Sequence, residues 1–375
     1  MDAPRPARID EYSQVCHFID RVFRPGQQGR FILARQYPHL FQRSTTMARR
    51  LLLLRDEGEL VGGLGIHPLT LRLQEARLKA GGIGQVAAHP QRRGQGIMST
   101  LLNDAIQRMQ RAGYALSVLG GDRQRYGWFG WENAGLRHEL DLASRYLGAP
   151  SAADRKLKVQ PLRPRGAVAG KIQRYSDGLP YGVVRPLGQM EPLFCRNGRQ
   201  GWYCQEGGGF AYVVSTTRQG GIRLDEVGGD PELVVALLRR VLARLKVDRI
   251  TLVVGPNHAE LGLLRPYSGS WRSSTDCMVK IIDLERTVEG VTGLLRRRAR
   301  QLGIKGTFNL QMGAQKACLQ LGRGRTYRLV LDERAMVTLL FGSLPVHQAL
   351  GGDGGLEILD RLLPLPLFIP PLNHI

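Results

Sequence analysis

The sequence predicts an α/β (α+β) fold in which helices and strands alternate through three successive units. Apolar residues recur at helical spacing in three segments, residues 12–23, 97–112 and 231–245. Between them lie short apolar runs bounded by Gly, Asp and Pro, as is typical of strands. The chain has 375 residues, of which 43% are hydrophobic. That length predicts two or three domains, each able to bury a core.

The first unit is predicted to begin with the helix at residues 12–23 and to continue as a β-rich segment. Its strands are expected at residues 51–54, 60–66, 69–73, 83–88 and 115–119. The helix at residues 97–112 follows a basic, glycine-containing loop, and Gly113 is its expected C-terminal stop. Strand, helix and strand form a β-α-β arrangement here, and we place the end of this domain at residue 147.

The second unit, residues 148–277, again places a helix between two strands. Its helix follows Asp230, a favourable N-cap, but no glycine-rich basic loop precedes it. The third unit, residues 278–375, is expected to open with a strand and a long helix at residues 284–301. Its remaining strands are expected at residues 306–312, 317–321 and 327–332, and its tail is apolar and rich in proline.

The chain is strongly basic, with 53 Lys and Arg against 32 Asp and Glu and a net charge of +21. Such a charge attracts anions, including nucleic acids and phosphorylated cofactors. Most basic residues are scattered, and the run around Arg296–Arg298 has no interleaved aromatic residues. The pattern therefore favours a solvated basic surface, and nucleic-acid binding is the least favoured function.

The five cysteines are odd in number and irregular in spacing, without a Cys-x-x-Cys pair. This pattern argues against a disulfide framework or a zinc site and favours a reducing cytoplasm. Residues 1–10 lack the apolar run of a signal peptide. Because no stretch of about 18 apolar residues occurs, we expect no membrane span. Since no metal-ligand spacing stands out, we also expect no metal.

The strongest chemical signal is the segment at residues 86–98, where a strand enters a basic loop and the loop enters an amphipathic helix. The loop is Gln91-Arg92-Arg93-Gly94-Gln95-Gly96, and the helix starts at Ile97 and Met98. Glycines let the backbone approach a ligand, and a helix N-terminus carries about half a positive charge. These features predict a cradle for a pyrophosphate. Val86 and Ala87 would offer main-chain groups to an amide-bearing arm such as pantetheine.

This arrangement resembles the signature of the GNAT acetyltransferase superfamily over at least residues 12–136. A second segment, Tyr126-Gly127-Trp128-Phe129-Gly130-Trp131, is similar to the Tyr-Gly-x-Phe-Gly-[Trp/Tyr] signature of its enhanced-intracellular-survival (Eis) branch. The resemblance implies tandem GNAT-like domains, each with a mixed central sheet flanked by helices. It also implies a C-terminal α/β domain like a sterol carrier protein, and acetyl-CoA as the cosubstrate.

The same resemblance implies roles for particular residues. Tyr126 aligns with the general acid, and Gly121 and Asp122 with residues that help hold the cofactor. The terminal carboxylate, here on Ile375, corresponds to the general base. Many members end in an aromatic residue instead, so Ile375 implies a differently shaped acceptor pocket.

A thiol has an ordinary pKa of about 8.5 and a tyrosine of about 10, so Tyr126 is a tenable acid for a departing thiolate. A terminal carboxyl is a weak base, and an apolar tail would raise its pKa by burial.

The favoured function is an N-acetyltransferase that acts on a primary amine. The acceptor would be a polyamine-like or aminoglycoside-like molecule or a lysine. The alternative is a non-catalytic CoA-sensing or lipid-carrying protein on the same fold. Since the second unit lacks a phosphate loop, we expect one cofactor per chain. The resemblance also implies a homo-oligomer, of which a hexamer is one form.

Overall fold

The computed structural model describes residues 1–26, 32–196, 198–218, 221–351 and 354–375. The chain forms two compact units. The first contains residues 1–135, 276–367 and 375, and the second contains residues 136–275 and 368–374. The domain boundaries at residues 147 and 277 stay predictions, as does the likeness of the C-terminal segment to a sterol carrier protein.

The N-terminal part of the first unit is rich in strands, as expected. Its strands are β1 (Arg5–Pro6), β2 (Leu51–Asp56), β3 (Glu59–Leu73), β4 (Ala76–Ala88), β5 (Leu116–Leu119) and β6 (Glu132–Ala134). Its helices are α1 (Tyr12–Phe23), α2 (Ile32–Gln36), α3 (Thr45–Arg50), α4 (Ile97–Arg111) and α5 (Arg123–Tyr126). Short 3-10 turns follow β4 at Pro90–Arg92 and α5 at Gly127–Phe129.

The second unit is built around a larger set of strands. These are β7 (Arg137–Ala143), β8 (Gln160–Pro161), β9 (Tyr181–Val183), β10 (Arg199–Glu206), β11 (Gly209–Arg218), β12 (Gly221–Gly229), β13 (Arg249–Val254) and β14 (Ser268–Ser274). Its helices are α6 (Ser144–Leu147), α7 (Ala152–Lys156), α8 (Gly166–Gly178), α9 (Met190–Phe194), α10 (Pro231–Leu245) and α11 (Ala259–Leu264).

The C-terminal segment returns to the first unit. Its strands are β15 (Cys277–Ile281), β16 (Thr307–Met312), β17 (Gln315–Gln320) and β18 (Thr326–Leu331). Its helices are α12 (Leu284–Leu302), α13 (Glu333–Phe341), α14 (Val346–Leu350) and α15 (Gly354–Asp360). β17, β16 and β18 form a small sheet in that order. Among the described residues, no helix combines the length and apolarity needed to cross a bilayer.

The main sheet of the first unit has the order β1-β2-β3-β4-β5-β15-β6. β2, β3 and β4 are antiparallel neighbours, whereas β4 and β5 run parallel and are connected through α4. β15 pairs antiparallel with both β5 and β6. The sheet is therefore mixed, and a strand from residues 277–281 completes a sheet that the N-terminal residues begin.

Helix α4 packs against one face of this sheet because its apolar residues share one side. Its buried side chains recur at helical spacing and are Ile97, Leu101, Leu102, Ala105 and Met109. Two glycines let the helix come close. A Cβ at Gly62 would lie 2.6 Å from Ile97 Cγ2, and one at Gly81 would lie 2.4 Å from Met109 Sδ. Helix α1 covers the opposite face, where its core side chains pack with Leu51, Leu53 and Ala87.

The second unit repeats this plan. Its sheet has the order β14-β7-β13-β12-β11-β10-β8. β10, β11 and β12 are antiparallel, and β12 runs parallel to β13 after a crossover through α10. Strand β7 pairs with β13 and β14, so it belongs to this second sheet, although it lies before residue 147.

Candidate functional site

The predicted cofactor segment folds as a strand, a loop and a helix start. β4 ends at Ala88, a 3-10 turn and the loop follow, and α4 begins at Ile97. Gly94 and Gly96 have φ of +83° and +77°, in the left-handed region that favours glycine. A Cβ on either would meet no atom within 4 Å. Backbone conformation rather than crowding therefore calls for glycine here, and the loop lies open to a ligand.

Gly96 is the N-cap residue of α4, and no side chain caps this helix end. The first turn of an α-helix has N–H groups that no carbonyl of the same helix can accept. The side chain of Ile97 is buried in the core, so only its main chain can face a ligand. The loop and the helix start thus combine main-chain donors with the positive end of the helix dipole.

The two loop arginines differ in their surroundings. Arg92 donates from Nη1 to Asp56 Oδ2 at 3.1 Å, and Asp56 also pairs with the N-terminal amine. Arg93 is exposed and makes no ion pair within the described residues. In this conformation Arg93 is therefore better placed than Arg92 to meet an anion.

Strands β4 and β5 separate soon after they meet. Their parallel pairing covers Ala80 to Gly82 on β4 and residues 116–118 on β5. β4 continues to Ala88, whereas β5 ends at Leu119, and β15 pairs with the other edge of β5 over residues 116–119. One edge of β4, including Val86 and Ala87, therefore extends beyond its partner. Such an edge can accept hydrogen bonds from an extended ligand as it would from a strand.

A bulge lies in β4 where the strands separate. The register of β3 against β4 shifts between Gly63 and Gly65, and Gln85 has φ of +54°. Gln85 Oε1 accepts a hydrogen bond of 2.8 Å from Nε2 of His67. Burial lowers the pKa of His67 to about 4, so its imidazole is neutral. Sequence reasoning did not single out His67, because a lone histidine within an apolar strand gives no signal.

Tyr126 ends the short helix α5, which Asp122 caps by accepting a hydrogen bond of 2.8 Å from the Gln124 N–H. Its ring lies where a side chain on Gly121 would be, since a Cβ there would be 2.4 Å from Tyr126 Cε2. The ring makes an edge contact with Trp131, with centroids 6.4 Å apart. Burial raises the pKa of Tyr126, partly opposed by Arg125, so the phenol keeps its proton at neutral pH.

Ile375 lies on β4. A Cβ at Gly82 would be 2.3 Å from Ile375 Cδ1, and a Cβ at Gly84 would be 2.4 Å from its Cγ2. Adjacent residues of a strand point to opposite faces, and Gly81 faces Met109 of α4. Ile375 is therefore on the face of β4 that lies opposite α4. Tyr126 belongs to the core cluster on the α4 face.

Asp20 and Glu132, two buried acidic residues of the N-terminal segment, are already paired. Asp20 accepts from the main-chain N–H groups at the start of α2 and forms an ion pair with Arg24. Burial alone would raise the pKa of Glu132, but hydrogen bonds from Arg123 and Arg334 lower it. Both carboxylates stabilise the fold in this arrangement.

Residues 3–134 match the family model described as an acetyltransferase (GNAT) domain. This segment is a GNAT acetyltransferase domain. A stretch of 97 residues is 31% identical to the uncharacterized N-acetyltransferase YhbS of Escherichia coli K12, covering 26% of this chain and 55% of that protein. The chain thus spans about half the length of the curated relatives it matches.

Solved structures resemble nearly the whole chain. A GCN5-related N-acetyltransferase from Kribbella flavida has a TM-score of 0.72 at 14% identity, covering 99% of this chain and 98% of that one. Eis1 from Mycobacterium abscessus has a TM-score of 0.67 at 14% identity, covering 98% and 99%. At these identities the likeness concerns the fold. The predicted resemblance to GNAT and Eis proteins and the predicted mixed α/β fold class are confirmed.

The structure brings one group of predicted residues together at the end of β4, in the loop and in the first turn of α4. These are Val86, Ala87, Arg92, Arg93, Gly94, Gln95, Gly96, Ile97 and Met98. Gly121 and Asp122 follow β5 and adjoin Tyr126. Their roles in binding and catalysis stay predictions.

Proposed function

We propose that this protein transfers the acetyl group of acetyl-CoA to a primary amine. One observation carries the proposal: an open glycine loop and an uncapped helix start lie directly beyond an unpaired strand edge. A diphosphate fits the loop and helix start, and an amide-bearing arm fits the strand edge. Coenzyme A joins these two groups in one molecule.

In this proposal the main-chain N–H groups from Gly94 to Met98 bind the diphosphate, and Arg93 adds a full charge. The pantetheine arm lies along Val86 and Ala87, which places the thioester where β4 and β5 separate. Gly121 and Asp122 line the far side of that gap. No metal is needed, because main-chain donors near the thioester can stabilise the developing oxyanion.

Tyr126 is the proposed general acid. The amine nitrogen attacks the thioester carbonyl carbon, the C–S bond breaks, and the departing sulfur takes the phenolic proton. A raised pKa keeps that proton in place until the thiolate forms. The proton that the acylated nitrogen then loses restores the phenol of Tyr126. The hydroxyl must reach the gap from the α4 side of the sheet, where its ring packs.

The carboxylate of Ile375 is the proposed base. It would hold the acceptor ammonium and take one proton, either directly or through a water. Ile375 lies on the other face of β4, so the acid and the base would approach the gap from opposite sides. That separation suits the reaction, because the base acts on the amine nitrogen and the acid acts on the sulfur, which are two different substituents of the tetrahedral carbon.

The acceptor class, a polyamine-like or aminoglycoside-like molecule or a lysine, is proposed from the GNAT and Eis resemblance. A homo-oligomeric assembly is proposed on the same ground, and a cytoplasmic location is proposed from the irregular cysteine pattern. The strongly basic composition would disfavour a cationic acceptor at long range. The attraction therefore has to come from the carboxylate of Ile375, since Asp20 and Glu132 are paired with arginines.

The decisive experiment measures thiol release from acetyl-CoA with a panel of primary amines and follows the acetylated product by mass spectrometry. Turnover that falls in Tyr126→Phe supports the proposal. Tight acetyl-CoA binding without turnover of any amine would favour the alternative, a non-catalytic CoA-binding protein. Gly113→Ala, at the far end of α4, serves as a glycine control outside the site.

A further inference from the structure

The second unit has a strand separation like that of the first, and the C-terminal tail of the chain packs beside it. β12 and β13 pair in parallel only over residues 222–224 and 250–252. Beyond Leu224 the register of β12 against β11 shifts between Val214 and Ser215. The first unit has the equivalent bulge in β4, next to the edge proposed to hold the cofactor arm. In the second unit, residues of the tail 368–374 contact β12 and the residue that follows β13.

The tail is seated by apolar contacts at both ends. Phe368 fills the space beside Gly255, where a Cβ would lie 2.7 Å from Phe368 Cδ1, directly after β13. Leu372 is fully buried in a cluster with Phe194 and Tyr212. The 3-10 turn Pro371–Asn373 contacts β12. The tail therefore extends from the end of β13 to the separated part of β12.

Two buried arginines hold the main chain and one side chain of this tail. Arg196 donates from Nη1 to the carbonyl oxygens of Leu372 and His374, at 2.6 and 3.2 Å. Arg185 donates to Asn373 Oδ1 at 2.6 and 2.9 Å and forms a bidentate pair with Glu226 at 2.7 Å. The arginines are only 4% and 5% exposed.

A buried guanidinium is costly unless its donors are satisfied. Tail carbonyls supply acceptors to Arg196, and Asn373 supplies one to Arg185. Displacement of the tail would leave these donors unmet in a region from which water is largely excluded. The contacts therefore oppose release of the tail more strongly than an exposed set would.

We propose that the second GNAT-like unit binds the chain's own terminus in place of a cofactor. In this role Arg185 and Arg196 are positioning residues that hold Ile375, the next residue in the chain, for acetyl transfer. The catalytic part of this inference rests on the proposed function. The binding part does not, because it concerns the tail alone.

The test uses the full-length chain and compares Arg196→Gln and Arg196→Lys with Arg239→Gln. Arg239 is a matched control, since it also donates to a main-chain carbonyl in this unit, that of Leu147 at 2.6 Å. The first readout is the rate at which carboxypeptidase releases Ile375, followed by intact mass. We expect release to be about tenfold faster in Arg196→Gln, and near the wild-type rate in Arg239→Gln.

The second readout is steady-state kinetics with acetyl-CoA and an amine. We expect kcat to fall by up to about 10²-fold in Arg196→Gln, while the KM for acetyl-CoA changes by less than about twofold. Arg196→Lys should restore part of kcat, because an ammonium can donate to the same carbonyls. The activity of Arg196→Gln should rise steeply with pH, since solvent must then deprotonate the amine.

The two readouts separate the two proposals. Equal release of Ile375 from Arg196→Gln and wild type would overturn the tail-binding role. Faster release with unchanged kcat would overturn the positioning role. A wild-type chain that acetylates no amine would defeat the proposed function, while the release assay would still decide whether the second unit holds the tail.

Discussion

Gly84→Ala should misplace the terminal residue without disturbing the cofactor loop. Its new Cβ would lie 2.4 Å from Ile375 Cγ2, and real Cβ atoms essentially never approach another atom within 3.0 Å. Cγ2 is attached directly to the branched Cβ of isoleucine, so a rotation about the end of the side chain cannot relieve the overlap. Ordinary contact starts at 3.4 Å. Ile375 must therefore move by about 1 Å.

A displacement of about 1 Å in a reacting group can cost about 10²-fold in rate, or about 2.7 kcal/mol of activation free energy. We expect Gly84→Ala to lose kcat on that scale, with a nearly unchanged KM for acetyl-CoA. The assay is thiol release at saturating amine, together with thermal unfolding of each variant. Gly81→Ala is the matched control, because its Cβ would meet Met109 on the other face of β4.

The double variant Gly84→Ala with Ile375→Ala makes the test sharper. Alanine at 375 removes Cγ2 and keeps Cβ, which lies 3.5 Å from the new methyl group, an ordinary contact. The double variant should therefore be more active than Gly84→Ala alone. If Gly84→Ala retains the kcat of Gly81→Ala, or if the second substitution restores nothing, Ile375 does not place the base.

Three further predictions concern the proposed general acid, the cofactor loop and the pH dependence of the folded state's stability. Tyr126→Phe should keep the packing of the aromatic ring and lose about 10²-fold in kcat. In the wild type, burial raises the pKa of Tyr126, so activity should not fall through tyrosine ionisation until above pH 10. A loss of activity well below pH 10 would contradict the role of Tyr126 as the acid. Gly96→Ala should lower the free energy of unfolding by about 1 kcal/mol and weaken acetyl-CoA binding, because alanine is strained at φ of +77°. An unchanged affinity in calorimetric titration would contradict the proposed role of the loop in cofactor binding. Arg5 lowers the pKa of Glu11 to about 2, so Glu11 stabilises the folded state above pH 4.5 and loses this effect as the pH falls toward 2. Between pH 4.5 and 2, urea unfolding should show a loss of unfolding free energy that is about 2 kcal/mol smaller in Glu11→Gln than in wild type, because other carboxyls with lowered pKa, such as those of Asp56 and Glu132, titrate in both proteins. Equal losses in the two proteins would refute the role of Glu11.

Local patterns predicted the helices closely. Helix α1 was predicted at residues 12–23 and α10 at residues 231–245, and both have those bounds. Each has a dense apolar stripe, and Pro231 marks the start of α10. The strand before the loop was predicted too short, at residues 83–88, whereas β4 begins at Ala76. Glycines at its centre weaken the strand signal, yet those glycines are what let α4 and Ile375 pack closely against the sheet.

The sequence alone did not reveal which strands and side chains pair when they lie far apart in the chain. Val279 sits in a strand-like run, but nothing local indicates that its partners are Val118 and Glu132. Arg185 and Arg196 looked like ordinary basic residues, since a buried role depends on a tail that lies about 180 residues later. The cofactor loop was found because its glycines, arginines and helix start are contiguous.

The position of β15 between β5 and β6 has a consequence for synthesis on the ribosome. Among the described residues β6 meets the rest of its sheet only through β15, and 140 residues of the second unit separate residue 135 from residue 276. A nascent chain cannot close this sheet until residue 281 has left the exit tunnel. A fragment that stops at residue 135 would expose the edge of β5, where β15 belongs, and edges of that kind associate with other chains. Attempts to express the GNAT domain alone should therefore retain residues 276–282 by joining them to residue 135 with a short linker.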